Sequence, residues 1–256
     1  MKFIPGLKLD EIFLKKTIQP LLNEAYPDLV YSAARLDAGS DVLGFDTPMS
    51  MDHGWGPKIN LFLSKEDLQR YQQELSDFFA YHLPFEIEGI PTHFTEPFED
   101  GGVVTSIDHY PIRHQITITT PEQFFASYLG VDITKPLLPD TWLTIPQQRL
   151  RTVRSGRVYH DGLNCLAEIR ARFYWYPHDL WLYLMANQWR RIDQEEPFVG
   201  RTGSVGDELG SKLIAARLIG DMMHLGFLLE KQYHPYSKWF GSAYQKLEIA
   251  KTLMPI

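Results

Sequence analysis

Cysteine is nearly absent from this chain, which has Cys165 alone among its 256 residues. A single thiol excludes an intramolecular disulfide and fits a reducing compartment. No apolar run approaches the ~20 residues that a membrane-spanning helix needs. The opening residues 1–6 also lack the long apolar core of a signal peptide. We therefore expect a cytoplasmic protein without a membrane partner.

Basic residues are in the minority, with 25 Lys and Arg against 32 Asp and Glu, giving a formal net charge of −7. This balance argues against a nucleic-acid partner bound through a broad basic surface. Apolar residues at 44% and charged residues at 22% are ordinary for a folded chain that buries a sizeable core. Composition therefore favours small molecules over polyanions as ligands.

Strand and helix signals alternate in the first half of the chain and give way to helices in the second. Strands are predicted over residues 59–63, 85–94 and 115–119, and residues 29–36 are either a short strand or the end of a helix. Helices are predicted over residues 9–26 (interrupted at Pro20), 64–82, 120–129, 146–154, 163–172, 177–193, 205–232 and 236–252. The sequence therefore predicts an α/β or α+β domain over residues 1–135 and an all-α helical bundle over residues 136–256.

A turn of small residues, Gly39-Ser40, precedes the second predicted strand. Its backbone N–H groups could approach phosphate oxygens closely, because neither residue carries bulk. Twelve residues after Ser40 comes Asp52, at the mouth of that strand. The Asp52 carboxylate is a candidate Mg²⁺ ligand and catalytic residue. The alternative for Asp52 is a turn or cap aspartate, which is common near glycines.

Three more charged residues accompany this turn. Asp46 is either a second metal ligand or a turn residue of the Phe45–Pro48 segment. Asp41 is interpreted as a solvated loop charge. Lys58 either places a positive charge near bound phosphates or is a solvated lysine. The segment therefore predicts a nucleotide phosphate site built from Gly39, Ser40 and Lys58.

The residues of this segment resemble the nucleotidyltransferases of the DNA polymerase β-like superfamily. That superfamily pairs a Gly-Ser turn with a later Asp-x-Asp, and Gly39, Ser40, Gly44, Ser50 and Asp52 follow the pattern with one extra residue between Ser50 and Asp52. The fuller sequence resembles a narrower family in that superfamily, a domain of unknown function. The motifs are GSDVLGFD (39–46), DHGWGP (52–57), YPHDLW (176–181), EPFVGR (196–201), GDELGSKL (206–213) and YSKW (236–239).

The resemblance implies a head with a mixed sheet and flanking helices that binds Mg²⁺ and ATP or another nucleoside triphosphate. It implies transfer of a nucleoside monophosphate, AMP in the default case, to a small-molecule acceptor. Gly54 occupies the position where the superfamily has its second acid. Glu86 and Glu88 lie on one face of a predicted strand, where they either replace the missing metal ligand or are solvated. Three possibilities follow: one metal ion suffices for the reaction, other residues replace the missing ligand, or the active site is degenerate. The alternative function is a catalytically silent nucleotide-binding or regulatory protein of the same fold.

A second polar cluster spans residues 197–208. Arg201 lies among glycines, where a guanidinium could clamp a triphosphate. Ser204 and Asp207 have capping-box spacing, which explains them without a ligand. By analogy with antibiotic nucleotidyltransferases that have helical second domains, Asp207 or Glu208 is the catalytic base. We assign that role to Glu208 and assign Asp207 and Lys238 to the nucleotide.

Three polar residues interrupt the apolar helix that follows. Arg217, Asp221 and His224 share one stripe, at spacings of four and three residues. Buried charges are costly unless they are paired, so the stripe is either an internal salt bridge or the wall of an acceptor pocket. The sequence leaves both possibilities open.

Overall fold

The computed structural model describes residues 1–96 and 102–253. The chain forms two compact units, Met1–Thr141 with Thr152–Phe173, and Trp142–Arg151 with Tyr174–Ile256. It therefore crosses between the units three times. Two helices contain crossing points, α5 (Pro139–Thr144) and α6 (Gln147–Ser155). In the described part of the chain, no helix is both long enough and apolar enough to cross a membrane.

The first unit is built on a four-stranded mixed sheet with the order β7-β2-β1-β8. Its strands are β1 (Tyr31–Arg35), β2 (Lys58–Leu63), β7 (Gln115–Thr119) and β8 (Arg157–Asp161). β1 is antiparallel to β2 and to β8, whereas β2 and β7 are parallel. The predictions for β2 and β7 are confirmed, and the strand is the correct one of the two possibilities for residues 29–36. β8 is a strand that the sequence analysis did not predict, in a region where only helices were expected.

The first helical stretch begins at Gly6, three residues earlier than predicted. It consists of α1 (Gly6–Phe13), a π-helical segment (Leu14–Ile18) and α2 (Gln19–Ala25). Pro20 is the second residue after the π segment. A proline lacks the N–H of a regular helical hydrogen bond and clashes with the carbonyl four residues earlier, which accounts for the widened turn before it.

Two capped helices follow the parallel strands. α3 (Lys65–His82) begins where the Ser64 hydroxyl accepts a hydrogen bond from the Asp67 N–H at 3.0 Å. α4 (Pro121–Leu129) begins with the same contact from the Gln123 N–H to Thr120 at 3.2 Å. It ends at Gly130, whose φ of 74° is left-handed. The predicted caps of both helices are confirmed.

The strand predicted over residues 85–94 is instead three short strands. β3 (Glu86–Ile87) pairs with β4 (Ile90–Pro91), and β5 (His93–Phe94) pairs with β6 (Val104–Thr105). Glu88 lies in the tight turn between β3 and β4, with a φ of 51°. The expectation that Glu86 and Glu88 share one strand face is therefore wrong. Glu88 instead pairs with Lys16 at 2.5 Å.

The core of the first unit lies between the sheet and its helices. α1, the π segment and α3 contribute large apolar side chains, and α7 (Leu166–Arg172) completes the helices of this unit. The fully buried members include Leu9, Ile18, Leu61, Leu63, Leu75, Phe79 and Phe94. This core fixes the ends of β1 and β2, between which residues 36–57 run.

The second unit is helical, as predicted. Its main elements are α8 (His178–Ser204) and α9 (Glu208–Leu229), which pack along each other. α10 (Ser237–Tyr244) and α11 (Glu248–Leu253) follow. α8 continues eleven residues past its predicted end, through Pro197 and two glycines.

Candidate functional site

The Gly39–Phe45 segment forms a single tight turn at the end of β1. The N–H groups of Leu43, Gly44 and Phe45 donate to the carbonyls of Gly39, Asp41 and Ser40 at 3.2, 3.0 and 2.8 Å. Within the described residues, the N–H groups of Ser40, Asp41 and Val42 donate to no protein acceptor. The turn therefore resembles the start of a helix, whose first N–H groups have no acceptor within the helix and favour anions.

The atoms around position 39 leave no room for a side chain, so this position requires glycine. A Cβ atom at this position would overlap the Asp41 carboxylate and would lie 3.1 Å from a guanidinium nitrogen of Arg35. A Cβ atom on Gly6, at the start of α1, would lie 2.5 Å from the Asp41 Cβ. The Asp41 side chain is therefore held between two glycines. The expectation that Asp41 is a solvated loop charge is wrong, since its side chain is only 11% exposed.

Arg35 lies beneath the turn with a side chain that is 3% exposed. Its guanidinium contacts the carboxylates of Asp37 and Asp41, the latter at 3.5 Å, and donates to the Ala38 carbonyl at 3.0 Å. Its Nε lies 3.7 Å from Asp10 Oδ2. Arg35 thus joins the end of its own strand, the turn and the first helix. The sequence analysis did not identify it.

Asp10 is fully buried in α1 and was also missed. Its Oδ1 accepts a hydrogen bond from the Lys58 N–H at 2.8 Å, which ties α1 to the start of β2. Burial raises the pKa of the Asp10 carboxyl well above its usual range, although nearby Arg35 opposes the shift. Asp10 therefore contacts both strands that border the turn.

Lys58 supplies an amine beside the same group of charges. Its Nζ donates to the Gly54 carbonyl at 2.6 Å and lies 5.7 Å from the centre of the Phe94 ring. Burial lowers the pKa of Lys58 to about 8; Arg35 adds to this effect, and Asp41 and Asp10 oppose it. Because Arg35 and Asp41 affect the pKa of Lys58, its amine lies within electrostatic range of the turn.

The Asp46 side chain is hydrogen-bonded to the start of α1. Its Oδ2 accepts a hydrogen bond from the Gly6 N–H at 2.7 Å, at the first turn of α1. Burial raises the pKa of Asp46, and the Gly6 hydrogen bond opposes this effect. A carboxylate committed to a helix N-terminus has less freedom to turn toward a cation.

Asp52 ends a short 3₁₀ helix (Pro48–Asp52), and its side chain is 60% exposed. Its Oδ1 pairs with His53 Nδ1 at 2.7 Å. Gly54 has a φ of 59°, and its N–H donates to the Gly102 carbonyl at 2.8 Å. Neither of these neighbours supplies a second carboxylate beside Asp52.

The carboxylates do not converge on a magnesium site. Across residues 1–96 and 102–253, no three His, Cys, Asp or Glu side chains are grouped so as to hold a metal ion. Mg²⁺ requires near-octahedral oxygen coordination and is usually anchored by one or two carboxylates plus substrate phosphates. Among the described residues, Asp46 is engaged with α1 and Asp52 pairs with His53, so these two carboxylates do not form a preformed centre with a third protein ligand.

The second cluster differs from its prediction because the expected loop is helical. Arg201 lies in the last turns of α8, with its guanidinium 5.8 Å from the Phe198 ring centre. Ser204 donates to the Arg201 carbonyl, so it does not form a capping box with Asp207. Asp207 alone caps α9, accepting from the Gly210 N–H at 2.8 Å.

Two other predicted residues of the second unit are exposed on its surface. Glu208 pairs with Lys212 at 3.3 Å, and both side chains are more than three-quarters exposed. Lys238 lies 5.2 Å from the Trp239 ring centre. These contacts are local in sequence, and they bring neither residue into a cluster with Arg201.

The polar stripe of α9 is paired with α8. Arg217 pairs with Glu195 at 2.8 Å. Asp221 accepts a hydrogen bond from the Arg191 Nε at 2.8 Å, and Gln188 also donates to it. The charged members therefore form salt bridges between the helices, which was one of the two possibilities left open. These contacts do not test the acceptor-pocket hypothesis.

His224, the third member of the stripe, lies in an aromatic group. Its ring centre is 4.5 Å from those of His234 and Phe240. Burial, with a contribution from His234, lowers the pKa of His224 to about 4. His224 is therefore neutral at physiological pH.

The predicted site residues consequently divide between the two units. Gly39, Ser40, Asp46, Asp52 and Lys58 belong to the first. The second contains Arg201, Asp207, Glu208, Arg217, Asp221, His224 and Lys238. Gly39, Ser40 and Lys58 of the first set border a buried charge network that sequence reasoning missed, whereas Asp52 pairs with His53. A lone acid within the apolar face of α1 and an arginine ending an apolar strand were the available signals.

One family model matches part of the second half of the chain. Residues 142–240 match the family model described as Domain of unknown function (DUF4037). The match includes β8, α8 and α9 and leaves the Gly39–Lys58 segment outside. No curated protein and no solved structure matches the chain.

Proposed function

We propose that the first unit binds the phosphates of a nucleotide at the Gly39–Phe45 turn, in a nucleotidyltransferase-like protein whose described side chains form no cluster of three metal ligands. The observation that carries this proposal is the group of three unpaired backbone N–H donors at Ser40, Asp41 and Val42, among the described residues. Successive unpaired N–H groups in a turn favour anions, and the Lys58 amine adds positive charge nearby.

The missing second acid favours binding over catalysis. Nucleotidyl transfer normally depends on metal ions that stabilise the attacking and leaving oxygens. Gly54 offers no side chain for that purpose, and Asp46 is hydrogen-bonded to α1. The first candidate is therefore a nucleotide-binding or regulatory protein whose affinity for ATP or another nucleoside triphosphate is largely independent of Mg²⁺.

A transferase is the second candidate, favoured by the exposure of Asp52. A carboxylate that is 60% exposed and pairs with a neighbouring histidine remains accessible to a ligand. In that case the protein transfers a nucleoside monophosphate, from ATP by default, to a small-molecule acceptor. The two candidates differ in the role of Asp52 and in their dependence on Mg²⁺.

Calorimetry with ATP, tripolyphosphate and adenosine, each with and without Mg²⁺, tests the proposal. We expect wild-type protein to bind ATP and tripolyphosphate but not adenosine. Lys58→Met should weaken binding about tenfold, as the loss of one favourable charge contact costs ~1.4 kcal/mol. Lys65→Met, at the first residue of α3, is the matched control and should leave binding unchanged.

The outcomes separate the candidates. Binding that Mg²⁺ does not enhance and that survives Asp52→Ala supports the nucleotide-binding protein. Mg²⁺-dependent binding that Asp52→Ala abolishes supports the transferase and justifies an acceptor screen. If wild-type protein binds neither ATP nor tripolyphosphate, both candidates are wrong.

Restoring the missing acid gives a second test. Gly54→Asp places a carboxylate two residues after Asp52, and Asp is among the residues that tolerate a left-handed φ. Gly54→Asn has nearly the same shape without the charge. We expect Mg²⁺ to strengthen tripolyphosphate binding in Gly54→Asp alone. Equal behaviour of the two variants would show that the second acid is not what limits metal binding.

A further inference from the structure

We propose that Asp10, Arg35 and Asp41 are positioning residues that hold the Gly39–Phe45 turn in its phosphate-binding shape. This inference rests on the proposed function, because it assigns a purpose to charges that contact no ligand themselves. The three residues come from α1, from the end of β1 and from the turn. They form one connected group in the first unit.

Arg35 is the centre of this group. Its guanidinium reaches the Ala38 carbonyl before the turn and the Asp41 carboxylate within it, at 3.0 and 3.5 Å. A guanidinium has a rigid, planar set of donors, so contacts to both segments fix their relative orientation. The N–H groups of Ser40 and Asp41 lie between these contact points in the chain, and that of Val42 follows directly after them. Their direction is therefore set by Arg35.

Asp10 extends the same group to the second strand. One oxygen accepts the Lys58 N–H at 2.8 Å, and the other lies 3.7 Å from Arg35 Nε. The backbone that carries the Lys58 amine is thereby fixed to the backbone that carries the turn. An anion bound by both meets donors that are already in place, which reduces the ordering cost of binding.

Stability alone is a poor explanation for this arrangement. Asp10 Oδ2 and Arg35 Nε are both buried and have no hydrogen-bond partner among the described residues. Burying charges with incomplete pairing is costly, and apolar replacements of a buried ion pair are often neutral or stabilising. A group that is costly to bury and that borders an array of free backbone donors is better explained by preorganisation of a site.

Asp41→Asn tests the inference at the end of the network nearest the turn. Amide hydrogen exchange without ligand should accelerate at least tenfold at Leu43 and Phe45, whose N–H groups close the turn, and should not change in β2. Tripolyphosphate affinity should fall at least tenfold. Asp77→Asn, an exposed helical aspartate bonded to Gln73, is the matched control and should change neither quantity.

Arg35 variants supply a graded test. Arg35→Met should abolish tripolyphosphate binding, and Arg35→Lys should restore part of it, because the charge returns without the planar fork. If Arg35→Met does not fold, Asp41→Asn and Arg35→Lys test whether these residues position the turn. A purely structural role would lower the free energy of unfolding and leave the affinity of the folded protein unchanged, which would overturn the inference.

The two proposals can fail separately. If Leu43 and Phe45 exchange at the wild-type rate in Asp41→Asn, the positioning role is refuted even when wild-type protein binds tripolyphosphate. If exchange accelerates but wild-type protein binds no phosphate compound, the proposed function fails, and with it the purpose assigned to the network.

Discussion

Replacing Lys58 with methionine should stabilise the protein at neutral pH. Burial lowers the pKa of Lys58 from 10.5 to about 8. That difference corresponds to about 3 kcal/mol of unfavourable free energy for the charged amine in the folded state. Methionine keeps a similar stem but loses the hydrogen bond to the Gly54 carbonyl, worth ~1 kcal/mol. We therefore expect Lys58→Met to raise the free energy of unfolding by about 2 kcal/mol at pH 7.

The gain should depend on pH in a defined direction. Below pH 8 Lys58 is protonated in both states, and the folded state carries the full burial penalty. Between pH 8 and 10.5 the folded protein loses this proton first, so the unfolded state binds more protons and wild-type stability rises with pH. Lys58→Met lacks this contribution. Its advantage should therefore be largest below pH 8 and should shrink toward pH 10.5.

Urea unfolding from pH 6 to 10.5 measures the difference. Native-state hydrogen exchange at Leu61 and Ile118, in β2 and β7, assigns it to the first unit. Lys65→Met, which replaces an exposed lysine, controls for the general loss of a positive charge. A variant that is less stable than wild type at pH 7, with a difference that does not vary with pH, would refute the reasoning.

Three further substitutions test single contacts. Asp46→Ala removes the acceptor at the start of α1 and should lower the free energy of unfolding by about 1 kcal/mol in urea melts. Asp221→Ala leaves Arg191 without its partner across α8 and α9 and should cost about 1–3 kcal/mol, with faster amide exchange confined to the second unit. Gly130→Ala should lower the thermal midpoint through a backbone cost of ~1 kcal/mol, whereas Gly220→Ala, in a helix with open space around it, should raise it.

Elements with local signals were predictable from the sequence. The Ser64 and Thr120 caps and the Gly130 terminus act within a few residues, so the pattern that predicts them also contains their physical cause. β2 and β7 were predicted for the same reason. β8 was not predicted because none of its side chains is fully buried, and its conformation depends on pairing with β1.

The extension of α8 shows how packing overrides local preference. Pro197, Gly200 and Gly203 predict a loop, yet the helix continues to Ser204. A Cβ atom on Gly203 would lie 3.8 Å from the Ser211 hydroxyl of α9, and that hydroxyl donates to the Val199 carbonyl at 2.8 Å. Contact with α9 thus stabilises a segment whose residues are weak helix formers.

The candidate site was only partly predictable because its supporting charges are distant in sequence. Gly39, Ser40 and Lys58 could be identified from their order in one segment. The contact between Asp10 and Arg35 joins positions 25 residues apart, and no periodicity indicates it. Asp41 was misinterpreted for the same reason, since its burial depends on Arg35 and on Gly6.

The pairing of β1 with β8 has a consequence for biosynthesis. Arg35 and Asp161 mark the ends of these strands in the chain and are 126 residues apart. At ~5–20 residues per second, about 6–25 s pass on the ribosome between completion of β1 and arrival of its last partner. During that interval one edge of β1 has no strand to pair with, and such edges recruit other chains. Nascent chains that stall within this window should therefore be the most prone to aggregate and the most dependent on chaperones.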